Sequence, residues 1–244
     1  PKYDSLRSIK LGYDPNGKLA VGYLDWSSSI GTFDLNLNAA STLGAYSTWN
    51  FHRLTALSIF KSKKIYGVRT FQRLIAGKIW SNNQTQIPGQ EGYNIEGNSS
   101  NELLRKNYLV DQFYGSFDLF NNYHMPGEGN IRGFVNSGQR GADAMISSST
   151  ELVADKGLFE NRFNISFSVF ADAGIFWDKS PYHPWYSTRI YDRYLGDVGF
   201  GTRLNTKFFE KELFLRFDVP AFIFNNGSSE INFRNWIFSF QRSI

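Results

Sequence analysis

The chain contains no cysteine, only two methionines and only three histidines. Without cysteine there is no disulfide scaffold, thiolate metal site or cysteine nucleophile. The histidines, His52, His124 and His183, stand apart, with no H-x-x-x-H or H-E-x-x-H spacing, so no metal site is expected. No G-x-S-x-G elbow, phosphate-binding loop or triad order is present, so this segment is expected to carry no catalytic residue and no cofactor. The net charge is +4, and no basic run exceeds the pair Lys63-Lys64. A nucleic-acid binder concentrates its charge in a stripe, so nucleic acid is not an expected partner. No stretch approaches the roughly 18 apolar residues that a membrane helix needs. Residue 1 is Pro, and no charged-then-apolar leader follows it.

Aromatic residues are abundant. They make up 17% of the 244 residues, as 23 Phe, 13 Tyr and 6 Trp, beside 22 Gly. Mean hydropathy is nevertheless only −0.36. This composition suits strands that are apolar on one side, and the residue order agrees. Successive side chains of a strand point to opposite faces, so alternation reports two environments. Along 163–177, one face carries Phe163, Ile165, Phe167, Val169, Ala171, Ala173, Ile175 and Trp177. The other carries Asn164, Ser166, Ser168, Phe170, Asp172, Gly174 and Phe176. Similar alternation runs through 33–39, 198–204, 213–219 and 236–240.

A soluble sandwich and an outer-membrane barrel both produce such faces. Three features favour the barrel. The segments approach the 9–11 or so residues that cross a membrane at a tilt, against about 5–6 for ordinary strands. Trp26, Trp49, Trp80, Trp177 and Trp236 fall at segment ends, where interfacial girdles lie. The polar faces hold Asp, Arg, Glu, Asn and Gly, as a hydrated lumen would. The expected fold is therefore all-β, an antiparallel transmembrane barrel with about eleven strands: 4–13, 18–26, 31–40, 47–60, 66–80, 110–120, 144–154, 162–175, 195–206, 211–219 and 234–242. Turn signals separate them, as at Asp14-Pro15-Asn16-Gly17 and Asn225-Asn226-Gly227. Two long polar connections, 81–106 and 121–143, interrupt the rhythm. Residues 1–244 read as one array without a linker. Single-chain bacterial barrels close on an even count, and lipid does not tolerate an open edge. The remaining strands are thus expected upstream or on a partner.

Three motifs resemble a known family. Ile131-Arg132-Gly133-Phe134 resembles the [V/I]-R-G-[F/Y] signature of the bacterial surface antigen superfamily, barrels of sixteen strands that include the BAM-complex insertase and two-partner secretion translocases. Phe170-Ala171-Asp172-Ala173-Gly174 looks like its F-x-D-x-G motif, and Gly199-Phe200-Gly201-Thr202-Arg203-Leu204 its following G-x-G-x-R strand. As in the family, five strands follow the arginine loop. The resemblance covers 121–244 and would make the first visible strand about the sixth of sixteen.

It implies a bacterial outer-membrane protein that aids insertion or translocation of proteins, with lipid, protein clients or accessory subunits, and the upstream barrel strands as partners. It also implies that Arg132, Gly133 and Phe134 fold into the lumen and meet Asp172. A charge-assisted contact there would hold a loop that is costly to order. Trp236, Phe238 and Phe240 resemble the family's insertion signal. The last strand departs from it by ending Gln241-Arg242-Ser243-Ile244 rather than on an aromatic. Relatives also use this barrel to anchor an upstream peptidase or lipase, the alternative function. A soluble carbohydrate-binding sandwich is a third. Asp118 and Glu151 read as ordinary lumen acids.

Overall fold

Alternating residues build a single large sheet. The computed structural model describes residues 2–14, 19–43, 50–81, 93–94, 129, 131–134, 140–158, 163–177, 193–208, 211–233 and 236–242. Strands β1 (Lys2–Asp14), β2 (Leu19–Ile30), β3 (Phe33–Thr42), β4 (Phe51–Lys61) and β5 (Val68–Ser81) pair in chain order. Two short strands, β6 (Tyr93–Asn94) and β7 (Arg140–Ala142), pair with each other and, among the described residues, with no other strand. The wall resumes with β8 (Ala144–Leu158), β9 (Phe163–Trp177), β10 (Arg193–Phe208) and β11 (Lys211–Asn225). Finally β12 (Ser228–Ile231) and β13 (Ile237–Arg242) pair the two halves of β11.

All these pairings are antiparallel. The eleven strands of the sheet fill ten positions, because β12 and β13 share the one beside β11. Among the described residues no pairing joins β1 to β12 or β13, so the sheet is not closed.

Three expectations are corrected. The strand placed at 110–120 lies outside the described residues. Its place between the fifth strand and 144–154 does not exist, because β5 pairs β8 directly from Val68↔Ala154 to Lys78↔Ala144. The strand at 211–219 runs on to Asn225. Pro220 sits at a bulge where Val198 opposes Phe222 and Gly199 opposes Pro220. A bulge accommodates a residue without an N–H. The break between β12 and β13 falls beside the same proline, so the expected last strand is seen as Ile237–Arg242 and a short strand, Ser228–Ile231, precedes it in the same position. Trp26, thirdly, lies within β2, and Trp236 stands at that break, packed 5.9 Å from Phe217 between ring centroids. Trp177 ends its strand, Trp80 stands one residue before the end of its own, and Trp49 lies outside the described residues.

The two rims differ. At one, strands join through 31–32, 62–67, 159–162 and 209–210. At the other they join through 15–18, 43–50, 82–143, 178–192 and the tight Asn226-Gly227 turn. Both turn residues have positive φ, 46° and 88°, a conformation that a two-residue hairpin requires and that glycine takes without strain.

The two faces separate as the alternation predicts. Phe163, Phe167, Phe200 and Phe217 are exposed on the outer face. Ser168, Asp172, Arg203 and Arg216 are buried on the inner one, and Asn164 is half-buried. The apolar cluster behind the wall gathers Phe51, Ile75 and Ile79 with Met145, Phe176 and Ile223. Tyr93, Ile131 and Phe134, from the 82–143 excursion, complete it.

Candidate functional site

The excursion between β5 and β8 returns to the wall as a short 3-10 turn, Arg132–Phe134, closed by Phe134 N–H donating to the Ile131 carbonyl at 3.2 Å. Arg132 is only 3% exposed. Burying a guanidinium without partners is costly, so its neighbours decide whether the turn can exist. The first neighbour is Asp172 on β9. Arg132 Nε lies 2.9 Å from Asp172 Oδ2, Nη2 donates to Oδ1 at 3.3 Å, and the Arg132 backbone N–H also reaches Oδ2 at 3.3 Å. Ser149 on β8 donates to Asp172 Oδ1 at 2.5 Å and accepts from Arg132 Nη2 at 3.2 Å. Beneath the guanidinium lies the Phe170 ring, 3.7 Å from Arg132 Cζ to its centroid, a cation–π stack.

Other carboxylates complete the surroundings. Glu151 Oε2 and Asp218 Oδ2 lie 3.7 and 3.5 Å from Arg132 Nη2 and Nη1. Burial opposes the charge on Arg132, but the carboxylates of Asp172, Glu151, Asp218 and Asp197 outweigh it and raise its pKa above the ordinary guanidinium value. Glu151 is also held by Arg203 on β10 and by Arg216 on β11, the latter at 3.3 Å. Arg216 in turn binds Asp218 at 2.5 Å. Arg132, Arg203 and Arg216 thus face Glu151, Asp172, Asp197 and Asp218 in one connected buried network.

Small residues let the turn approach. The Gly133 N–H donates to Asp197 Oδ2 at 2.6 Å, and a Cβ at Gly133 would lie 3.0 Å from Asp197 Cβ and from Ile223 Cγ1. Across the wall, a Cβ at Gly174 would lie 2.7 Å from the Phe176 ring and 3.1 Å from Ile131 Cδ1. The Ser147 hydroxyl donates to the Gly129 carbonyl. Phe134, 7% exposed, enters the apolar cluster beside the turn.

The structure therefore brings Arg132, Gly133, Phe134 and Asp172 together. It does not bring Trp236, Phe238 and Phe240 to them: Phe238 pairs Phe217 and Phe240 pairs Leu215 at the outer edge of the sheet, and Trp236 is exposed. Glu151, read from sequence as an ordinary acid, is the hub of the network. The signal was the charge that Asp197, Arg203, Arg216 and Asp218 carry on the inward faces of β10 and β11. Asp118, His124 and His183 lie outside the described residues.

A second anchor had no motif to announce it. Tyr93 is 1% exposed, its hydroxyl donating to the Leu54 carbonyl at 3.0 Å and lying 2.9 Å from Thr55 Oγ1. A Cβ at Gly77 would overlap the Tyr93 ring. Glycine inside a strand marks such close approaches, and Gly77 was the available clue.

Among the described residues no group of three or more His, Cys, Asp or Glu side chains is arranged to hold a metal ion. The arrangement's chemistry is to hold: it fixes one excursion of the chain against β8–β11 by paired charge. No protein-family model and no curated protein matches the chain.

Proposed function

We propose that this chain forms part of an outer-membrane β-barrel of the surface antigen kind, which aids insertion or translocation of proteins at the bacterial outer membrane. The observation that carries the reading is Arg132, turned inward from a long excursion and bound to Asp172 at 2.9 Å behind a wall whose outward face is apolar. Unequal rims support it, because outer-membrane barrels have short turns on the periplasmic side and longer loops outside. In a wall of sixteen positions the ten seen here would be the last ten, with β1 the seventh rather than the sixth. Among the described residues β1 pairs only with β2, and its other edge calls for a further strand, since lipid offers its backbone no hydrogen bonds.

Lipid contact is testable because the chain lacks cysteine, so single introduced thiols can be labelled cleanly. Fluorophores on Phe167→Cys and Phe200→Cys should be quenched by brominated acyl chains in liposomes, and those on Ser168→Cys and Arg203→Cys should not. Quenching at 168 and 203 instead would end the membrane reading. Activity is read separately, as the rate at which a small unfolded outer-membrane protein inserts into the same liposomes. Joined to the strands that complete its wall, the chain should accelerate insertion, and its Arg132→Ala variant should not. A chain that integrates but accelerates nothing favours the anchor reading, which the filling of the inner face by Tyr93, Ile131 and Phe134 also suits.

A further inference from the structure

Lys78 breaks the rule of the outward face. Along β5 the outward positions run Leu74, Ala76, Lys78, Trp80, and the residues paired with Lys78 are Leu54 and Ala144, so a cation stands among apolar neighbours. Facing lipid, an ammonium must reach an interface or an anion. Its direction is visible: Nζ lies 5.5 Å from the Trp80 ring centroid, toward the rim with the longer connections. Trp80 is 46% exposed and pairs with His52, whose Nδ1 lies 2.9 Å from the Ser41 hydroxyl. Trp177 pairs with Ala144 beside Lys78, again at that rim. Ammonium, imidazole and two indoles thus lie on two neighbouring rows of the outer surface, Lys78 with Trp177 on one and Trp80 with His52 on the next, and Lys78 reaches between them to the Trp80 ring.

We propose that this patch docks the headgroup of a phosphorylated glycolipid. This rests on the membrane reading, which makes the long-connection rim the outer leaflet. Lys78 supplies the counter-charge for a phosphate, and exposed indole offers a flat apolar platform for the C–H face of a sugar ring. Indole also belongs at the membrane–water boundary. A plain phospholipid would satisfy the lysine and leave the indole platform unused, so the glycolipid fits the whole patch.

The test is native mass spectrometry of the detergent-solubilised full chain with diphosphorylated diglucosamine lipid, its phosphate-free form, or phosphatidylglycerol. The diphosphorylated lipid should remain bound. Removing its phosphates, or making Lys78→Gln, should weaken retention about ten-fold, the size of one charge-assisted contact. Trp80→Leu should weaken it several-fold, and Lys78→Arg should retain it. Flotation with phosphatidylcholine liposomes reads membrane association separately, and the Lys78 and Trp80 variants should float like the parent. Equal retention by Lys78→Gln, or equal retention of phosphatidylglycerol, overturns the glycolipid site alone. A parent chain that does not float overturns it together with the membrane reading. A doubled mass without lipid assigns the patch to a second copy.

Discussion

Behind β8–β11 the inward residues include Ser149, Glu151, Asp172, Arg203 and Arg216, all buried. Behind β2–β5 Arg73 is buried too, but Asp25, Asn38, Arg53 and Thr55 are half-buried, with Asn38 linking Asp25 and Arg53. The same alternation built both halves, and both inner faces are polar. What differs is the cover. The excursion lays Ile131–Phe134 over the second half, while it meets the first through Tyr93 at β4–β5 and through the Asp143 carbonyl, which accepts from the Ile79 N–H at 2.7 Å. Which way a side chain points is a local property of the strand. How dry it becomes depends on a segment distant in sequence, and dryness decides whether a charge pair matters, because exposed pairs contribute little and buried ones are costly to break.

The largest test of this contrast is Arg132→Ala. It leaves Asp172 and Glu151 buried beside fewer cations, and should cost about 3–5 kcal/mol in denaturant unfolding of the full chain in detergent. Arg132→Lys should recover little of it, since an ammonium cannot span both Asp172 oxygens in a planar fork. A loss under 1 kcal/mol would mean that the second half is wetter than its geometry implies. Next is Gly77→Ala, expected to cost about 1–3 kcal/mol by driving the Tyr93 ring from its cradle. In combination with Tyr93→Ala, the alanine at 77 should cost much less than it does alone. Strict additivity would show that Gly77 and Tyr93 do not meet.

Tyr93→Phe keeps the ring and removes the hydroxyl that meets Leu54 and Thr55. It should cost about 0.5–1.5 kcal/mol and speed protease cleavage within 82–143. The smallest effect belongs to the outer face. Phe167→Leu touches no described inner contact and should stay within about 0.5 kcal/mol in the same unfolding measurement. A larger loss there would mean that Phe167 packs against protein.

Much of this was legible in the sequence, for reasons particular residues make plain. Phe163 to Trp177 announced both faces because period two survives any tertiary arrangement. Arg132 and Asp172 were legible through a motif resemblance, and the structure brings them within 2.9 Å. Pairing order across the excursion was not legible, because nothing local to Val68 says that it will oppose Ala154 rather than a nearer strand. The run of β11 past Val219 was not legible, because a proline inside a strand needs a bulge or an edge and nothing local announces that bulge. Tyr93 had no signal of its own, being one aromatic in a polar stretch. Lys78 and Trp80 could be placed on one face by alternation, but the direction of the ammonium needed coordinates.

The junction of β5 and β8 also bears on the order of folding. The described wall is otherwise built between chain neighbours joined by short or moderate connections, and such hairpins form quickly. β5 and β8 must instead find each other across residues 82–143, and closing a long loop is slower and entropically dearer than closing a turn. Tyr93 holds β4 and β5, while its strand partner β7 runs almost directly into β8. The small β6–β7 ladder is therefore a clasp across the seam that, in the described wall, the chain cannot zip by itself. Folding should pause there as two half-walls, and refolding rate should respond to Gly77 and Tyr93 more than to Arg132, whose partners all lie on the far side of the seam.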